Sequence, residues 1–113
     1  MANYSLGEFE ELVLLSVAVL KKNAYGVSVK LEIQDKLKRK VSVGALQSAL
    51  RRMEKKGFIK SWFGEATPER GGKRKRYFEI TSSGKKAIRS SMESRLTFWK
   101  SNPELQAELG KLL

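Results

Sequence analysis

A chain of 113 residues has room for one domain, with a core so small that dimerisation would help to cover its apolar surface. Lys and Arg number 23 against 12 Asp and Glu, and the formal charge of +11 favours a polyanionic partner such as DNA, RNA or an anionic membrane surface. The absence of Cys and His excludes disulfides and thiolate metal sites and removes the commonest general base. We therefore expect a binding protein with no catalytic residues, metal or cofactor.

Targeting signals are missing from the sequence. The longest apolar run, residues 12–20, is broken by Ser16 and is shorter than the roughly 20 residues of a membrane-spanning helix. Residues 1–5 lack the basic segment of a secretory signal peptide. We expect a cytoplasmic protein with no membrane partner, associated with the nucleoid if its polyanion is DNA.

Helix 1 is predicted by apolar residues at helical spacing. Ser5 and Glu8 fit a capping box at its start, and residues 21–23 close it. The adjacent acidic residues Glu10 and Glu11 are interpreted as helix surface.

Two further helices are expected before residue 58. Helix 2 begins near Tyr25, which we expect to anchor the core, and ends in the basic cluster 36–40. Its predicted inward residues are Val29, Ile33 and Leu37. Helix 3 is capped by Ser42 and stopped by Gly57. Its predicted apolar stripe consists of Val43, Leu46, Leu50 and Met53.

A β-hairpin and a long helix complete the predicted order. Residues 58–63 and 76–80 are typical of strands, and Trp62 or Phe63 is expected to fill the core beneath them. Helix 4, capped by Thr81 or Ser82, runs over about 83–100, and a short helix follows within 104–112. This order predicts an α+β, mostly α, winged helix-turn-helix with a long C-terminal dimerisation helix. Residues 1–81 form the DNA-binding part and 82–113 the dimerisation part of one compact unit.

The positive charge is concentrated where a winged helix meets DNA. Residues 41–80 hold 10 basic and 4 acidic residues, a net charge of +6, against +2 for residues 1–40 and +3 for residues 81–113. We define the wing as residues 64–76; five cations lie within its last eight residues. Long cationic side chains on such a ribbon reach phosphates or a minor groove. The candidate contacts are Arg70, Lys73, Arg74 and Arg76.

Helix 3 carries the candidate base-reading residues, over about residues 42–56. Small residues near its start, Gly44 and Ala45, let a helix lie deep in a major groove. The Gln47 amide is suited to adenine, Ser48 is an ambiguous reader, and Arg51 reaches guanine or phosphate.

The aromatic pair Phe98–Trp99 lies near the end of helix 4, where little chain remains to cover it. Such a pair predicts burial of Trp99 in a dimer interface. The alternative is ligand contact, because two such residues across a two-fold axis leave a flat aromatic pocket.

The chain resembles the PadR family of bacterial transcriptional regulators over about residues 6–90. The resemblance is carried by Ser42-Val43-Gly44-Ala45, by residues 52–59 (RMEKKGFI), by residues 67–78 (TPERGGKRKRYF) and by Ile80-Thr81-Ser82-Ser83-Gly84. It implies a homodimeric winged helix-turn-helix repressor in which the C-terminal helix and helix 1 form the dimer. Relatives respond to phenolic acids or bind planar drugs between the subunits.

The resemblance also assigns residues to roles. DNA-contact positions of the family correspond to the wing cations above and to Ser42, Gly44, Ala45, Gln47, Ser48 and Arg51. The dimer interface, or an aromatic-effector pocket within it, corresponds to Phe9, Met92, Leu96 and Trp99. Relatives often carry Tyr where this chain has Gln47 and some carry Pro at Ser48, so the operator read here is expected to differ.

Two functions remain open at this point. The leading interpretation is a regulator that binds a palindromic operator in double-stranded DNA, with half-sites about 10 base pairs or a multiple apart. The alternative is a small basic RNA-binding or ribosome-associated protein, although RNA binders more often present stacking aromatics on a sheet. An enzyme is not expected, because the acidic residues are scattered along helices and form no acid/base pair.

Overall fold

A helical body and a two-stranded antiparallel sheet make up the computed structural model, which describes residues 6–65, 71 and 74–110. The elements are α1 (Glu8–Leu20), a 3-10 turn (Lys21–Asn23), α2 (Gly26–Leu37), α3 (Val43–Lys55), β1 (Ile59–Phe63), β2 (Arg76–Ile80), α4 (Ser82–Lys100) and α5 (Pro103–Leu109). Ile59 pairs with Ile80 at one end of the sheet and Phe63 with Arg76 at the other. The predicted α+β, mostly α, winged-helix order is confirmed.

The core lies between the first three helices and one face of the sheet. Its buried residues include Val13, Leu14, Val17, Val29, Ile33, Leu46, Leu50, Met53, Ile59 and Phe78. Strand β2 is joined to the start of α2, because the Phe78 N–H donates to the Ala24 carbonyl at 2.9 Å. Tyr25 is half-buried at the edge of this core and meets Tyr77 edge-on, with ring centres 5.7 Å apart. The base of the wing is therefore fixed against the helical body.

Two residues predicted to face inward are exposed instead. Leu37, 47% exposed, is the last residue of α2, and Lys38 then turns the chain away with a φ of 50°. Val43, 57% exposed, is the first residue of α3 and has no preceding helical turn to cover it. Val41 is buried in the loop between the helices. The periodicity therefore holds within these helices and fails at their ends.

The start of α1 differs from the predicted capping box. The helix begins at Glu8 with Gly7 as its N-cap, and the Gly7 N–H donates to Glu10 Oε1 at 3.1 Å. Ser5 lies outside the described residues. The predicted Ser5–Glu8 box is wrong because the N-cap is Gly7, and Glu10, three residues after it, accepts the hydrogen bond from the N–H of that cap.

The prediction that Trp62 or Phe63 fills the core is also wrong. Trp62, 40% exposed, lies on the outer sheet face and stacks on Tyr77 with ring centres 6.0 Å apart. Phe63 shares the inner face with Ile59, but lies where the ribbon has passed beyond the helices. On the inner face, Ile59 and Phe78 are buried in the core, and half-buried Ile80 packs against it.

Helix α4 starts at a close contact with the body. Thr81 is its N-cap: the hydroxyl accepts from the Gly84 N–H at 3.1 Å and donates to the Gly57 carbonyl at 2.6 Å. A Cβ on Gly84 would lie 2.1 Å from the Phe58 carbonyl oxygen, so only glycine allows this approach. Residues of α4 beyond this contact are half-buried or exposed, and the described part of the molecule measures 57 × 36 × 22 Å.

Candidate nucleic-acid interface

Helix α3 presents one polar face to solvent. Its opposite side is fixed in the core by Leu46, Ala49, Leu50 and Met53. The exposed side carries Gly44, Ala45, Gln47 and Arg51, with Ser48 half-buried beside them. Ser42 is exposed and caps the helix by accepting from the Ala45 N–H at 3.2 Å. The six predicted helix 3 residues therefore lie at the start and on the open side of one rigid helix.

Two side chains on this face have distinct surroundings. Gln47 lies against the first residue of α2, where a Cβ on Gly26 would come within 3.2 Å of its Nε2 atom. Arg51 donates to the Ser48 hydroxyl at 3.4 Å and has no acidic partner among the described residues. Both side chains keep donors for a further partner.

The base of the wing and α3 line one groove. We call it the α3–wing groove: it has a volume of about 370 Å³, and its lining includes Gln47 from α3, Lys75 and Arg76 from the wing, and Lys30 from α2. Its described lining contains no acidic residue, and its walls are apolar, including Val43 and Leu46. The Lys75 ammonium lies 4.2 Å from the centre of the Tyr25 ring. Helix α3 and the wing base therefore face the same side of the molecule.

The structure describes two of the four predicted wing residues, Arg74 and Arg76, and they have different surroundings. Arg70 and Lys73 lie outside the described residues. Arg74 is exposed and has no ion pair with a described residue. Arg76 is held by α3 and β1: it donates to Glu54 Oε1 at 3.4 Å and to the Ser61 hydroxyl at 3.0 Å.

Glu10 was interpreted as helix surface, and the structure shows that this was wrong. It is 7% exposed, and its Oε2 lies 3.2 Å from Arg52 Nε and 3.4 Å from Lys56 Nζ. Burial raises its pKa, but the Gly7 N–H, Arg52 and Lys56 together bring that pKa below the ordinary value. One buried carboxylate is therefore shared by Arg52 on α3 and by Lys56, the residue that caps the end of that helix.

Glu11 is likewise buried, and joins α1 to α4 instead of facing water. Its Oε1 accepts from Arg95 Nη2 at 3.1 Å and from the Ser91 hydroxyl. The sequence does not predict the burial of either carboxylate, because the cations that pair with them, Arg52 and Arg95, lie far along the chain.

The four residues predicted for the dimer interface or effector pocket are all half-buried: Phe9, Met92, Leu96 and Trp99. Phe9 lies under the Arg39 guanidinium, 5.7 Å from its ring centre. None of the four lines the cleft of about 720 Å³ between α1 and α4, whose lining includes Glu11, Lys86, Ser90 and Arg95. Phe98, 77% exposed, is the most exposed large apolar residue on α4.

Among residues 6–65, 71 and 74–110, no three His, Cys, Asp or Glu side chains are grouped so as to hold a metal ion. No helix in those ranges has the length and apolar character needed to cross a bilayer.

The fold and the basic, acid-free α3–wing groove define a winged-helix nucleic-acid-binding protein. Residues 14–90 match the transcriptional regulator PadR-like family. The chain belongs to this family and is a DNA-binding transcriptional regulator, not an enzyme.

Solved structures and one relative are similar to this chain. A transcriptional regulator from Clostridium thermocellum is 26% identical, with a TM-score of 0.66 over 90% of this chain and 92% of its own. A PadR-like transcriptional regulator from Bacillus cereus has the same fold, with a TM-score of 0.70 at 19% identity over 91% and 93% of the two chains. An uncharacterized protein of Lysinibacillus sphaericus is 32% identical over 81 residues, 70% of each chain.

Proposed function

We propose that the chain is a homodimeric repressor that reads a palindromic operator in double-stranded DNA. Residues 42–56 enter the major groove, and the wing contacts the backbone or the adjacent minor groove. The observation that carries this proposal is the α3–wing groove, in which Gln47 lies with Lys75 and Arg76 and no described acid. A phosphate backbone in this groove would meet Lys30 from α2 and Lys75 from the wing beside the amide of Gln47.

Each element has its own task in the proposal. The Gln47 amide reads adenine, and Arg51 reads guanine or holds a phosphate. Small or short residues around them permit close approach of the helix to the bases: Ser42, Gly44, Ala45 and Ser48. The wing cations supply affinity by counterion release, whereas α3 supplies the choice of sequence.

Two copies are proposed to associate through α1 and the C-terminal part, residues 82–113. Exposed Phe98 and half-buried Trp99 support this arrangement, because apolar surface of this size on a projecting helix is stabilised by a partner. An aromatic effector would bind at the same interface, beside Met92, Leu96 and Trp99, and would favour one dimer arrangement over another. Such a regulator acts in the cytoplasm, at the nucleoid.

Selection of bound duplexes from a random pool tests the proposal. We expect enrichment of a palindrome whose half-sites are about 10 base pairs or a multiple apart. The selected duplex is then challenged with structured RNA at equal phosphate concentration. Retention on the duplex supports the regulator, whereas displacement by RNA would favour the RNA-binding alternative.

A promoter that contains the selected palindrome tests repression. Transcription from it should fall when the protein is added and recover when the palindrome is scrambled. Increased transcription would show an activator.

A further inference from the structure

The recognition helix and the wing are joined by a closed set of polar contacts, which we call the clasp: Glu54 on α3, Ser61 on β1 and Arg76 on β2. The Ser61 hydroxyl donates to Glu54 Oε2 at 2.6 Å. Arg76 donates from Nε to that hydroxyl at 3.0 Å and from Nη2 to Glu54 Oε1 at 3.4 Å. One carboxylate therefore contacts both strands, β1 and β2, from which the wing extends.

The clasp lies at the base of the wing. Arg76 is the first residue of β2, where the chain returns from the loop, and it also lines the α3–wing groove. Its guanidinium lies 5.2 Å from the centre of the Phe63 ring, so packing and hydrogen bonds define one orientation. Ser61 and Phe63 share the inner face of β1, toward α3.

The presence of Glu54 beside a DNA-binding surface needs an explanation. A carboxylate repels phosphate, and it neutralises Arg76, whose charge would otherwise increase affinity for any duplex. Isolated surface ion pairs contribute little to stability, but a hydrogen-bonded network around a planar guanidinium fixes geometry.

We propose that Glu54 is a positioning residue for sequence recognition, acting through Ser61 and Arg76 to fix the wing relative to α3. With the two elements held together, the wing contacts the backbone only when α3 is correctly seated in the major groove. Arg76 then contacts no phosphate, in contrast to its predicted role. This inference rests on the proposed DNA-binding mode.

The test compares affinity for the selected palindrome with affinity for a scrambled duplex, measured on the same preparation. E54Q should lower this ratio about tenfold, a coupling common for residues in one network. Affinity for the scrambled duplex should stay the same or increase, because a negative charge is lost. S61A should also lower the ratio, although it changes no charge.

The sheet provides a matched control. Glu79 pairs with Lys60 at 3.1 Å on the outer face, so E79Q removes an equal charge from the same ribbon without touching α3. The ratio of affinities for the selected palindrome and the scrambled duplex should be the same for E79Q as for the wild type. If E54Q behaves like E79Q, the clasp has no role in recognition.

A second measurement tests whether Arg76 contacts a phosphate. R76A should leave the slope of log K against log salt unchanged, whereas loss of a phosphate contact lowers its magnitude by about 0.9. A decrease of that size in the salt slope would show that Arg76 contacts a phosphate and would overturn the proposed role of the clasp. A wild-type protein that does not discriminate between duplexes would overturn the proposed function as well, so the two failures are distinguishable.

Discussion

At the scale of single residues, Gln47 is the side chain on which we expect sequence choice to depend most in the proposed DNA-binding mode. It is exposed on α3, and its amide lies against the glycine that opens α2. A side chain supported on one side by backbone keeps a narrower range of orientations, which favours bidentate pairing with one base.

Replacement of Gln47 by Ala should therefore relax the preference at one base pair by about 1–3 kcal/mol, because a bidentate contact is lost. Binding to each single-base variant of the selected duplex measures this directly. Affinity for scrambled DNA should not change. Equal losses on every sequence would show that Gln47 reads no base.

Glu10 is the residue that sequence reasoning misjudged most. Charged residues on a helix usually face water, so a pair of adjacent glutamates gives no local sign of burial. Its burial is explained by tertiary contacts. Two cations more than 40 positions away in the sequence, Arg52 and Lys56, come within hydrogen-bond distance of the Glu10 carboxylate. The residues around Glu10 in the sequence therefore do not predict these contacts.

The pKa of Glu10 is lowered in the folded chain, so its carboxylate stabilises the fold above pH 4.5, the ordinary value, and this contribution is lost as the pH falls through the lowered pKa. Glu10→Gln should cost about 1–2 kcal/mol at pH 7, since a charge-assisted network is weakened. Urea unfolding at several pH values measures the difference, which should shrink below pH 4.5. Glu8→Gln, at an exposed residue paired with Arg39, should have little effect.

At the scale of elements, the order of helices and strands could be predicted because periodicity and turn residues act locally. Strand β2 was placed at its observed bounds, and Gly57 adopts the expected positive φ of 82°. The ends of elements could not be predicted in the same way. Gly7 begins α1 where tertiary contacts hold Glu10, and Phe63 is exposed because the ribbon extends past the core.

The wing contains both free and neutralised cations, a distinction that its composition does not show. Arg74→Ala should weaken binding to every duplex and lower the magnitude of the salt slope by about 0.9, because Arg74 is exposed and has no acidic partner among the described residues. Titrations at several salt concentrations provide the slope. Arg89→Ala, which removes an exposed cation paired with Glu93 on α4, should leave it unchanged.

At the scale of the whole molecule, the outlying helices expose apolar surface that a single chain does not cover. Phe98 on α4 and Leu109 on α5 are more than two-thirds exposed, at 77% and 68%. Trp99, which the sequence predicts in the interface, is half-buried, and its carbonyl accepts from Gln106 Nε2 at 2.6 Å. The exposure of side chains near the end of α4 depends on where α5, which begins at Pro103, packs against that helix.

Phe98→Ala and Trp99→Ala should each raise the dissociation constant of the dimer at least about tenfold, because aromatic anchors contribute strongly to interfaces. Sedimentation equilibrium at low micromolar concentration measures it. Thr97→Ala, at the preceding exposed position, is the control. An intact dimer in both aromatic variants would remove this part of α4 from the interface.

The two adjacent buried carboxylates of α1 connect this helix to two other helices. Glu10 is attached to α3 through Arg52 and Lys56, and Glu11 is attached to α4 through Arg95. Consecutive residues of one helix move as a rigid unit. These ion pairs connect α4 to α3 through α1, so we expect a tilt of α4 that preserves its contact with Glu11 to shift α3 as well. In the proposed dimer, such a shift would change the spacing between the two copies of α3.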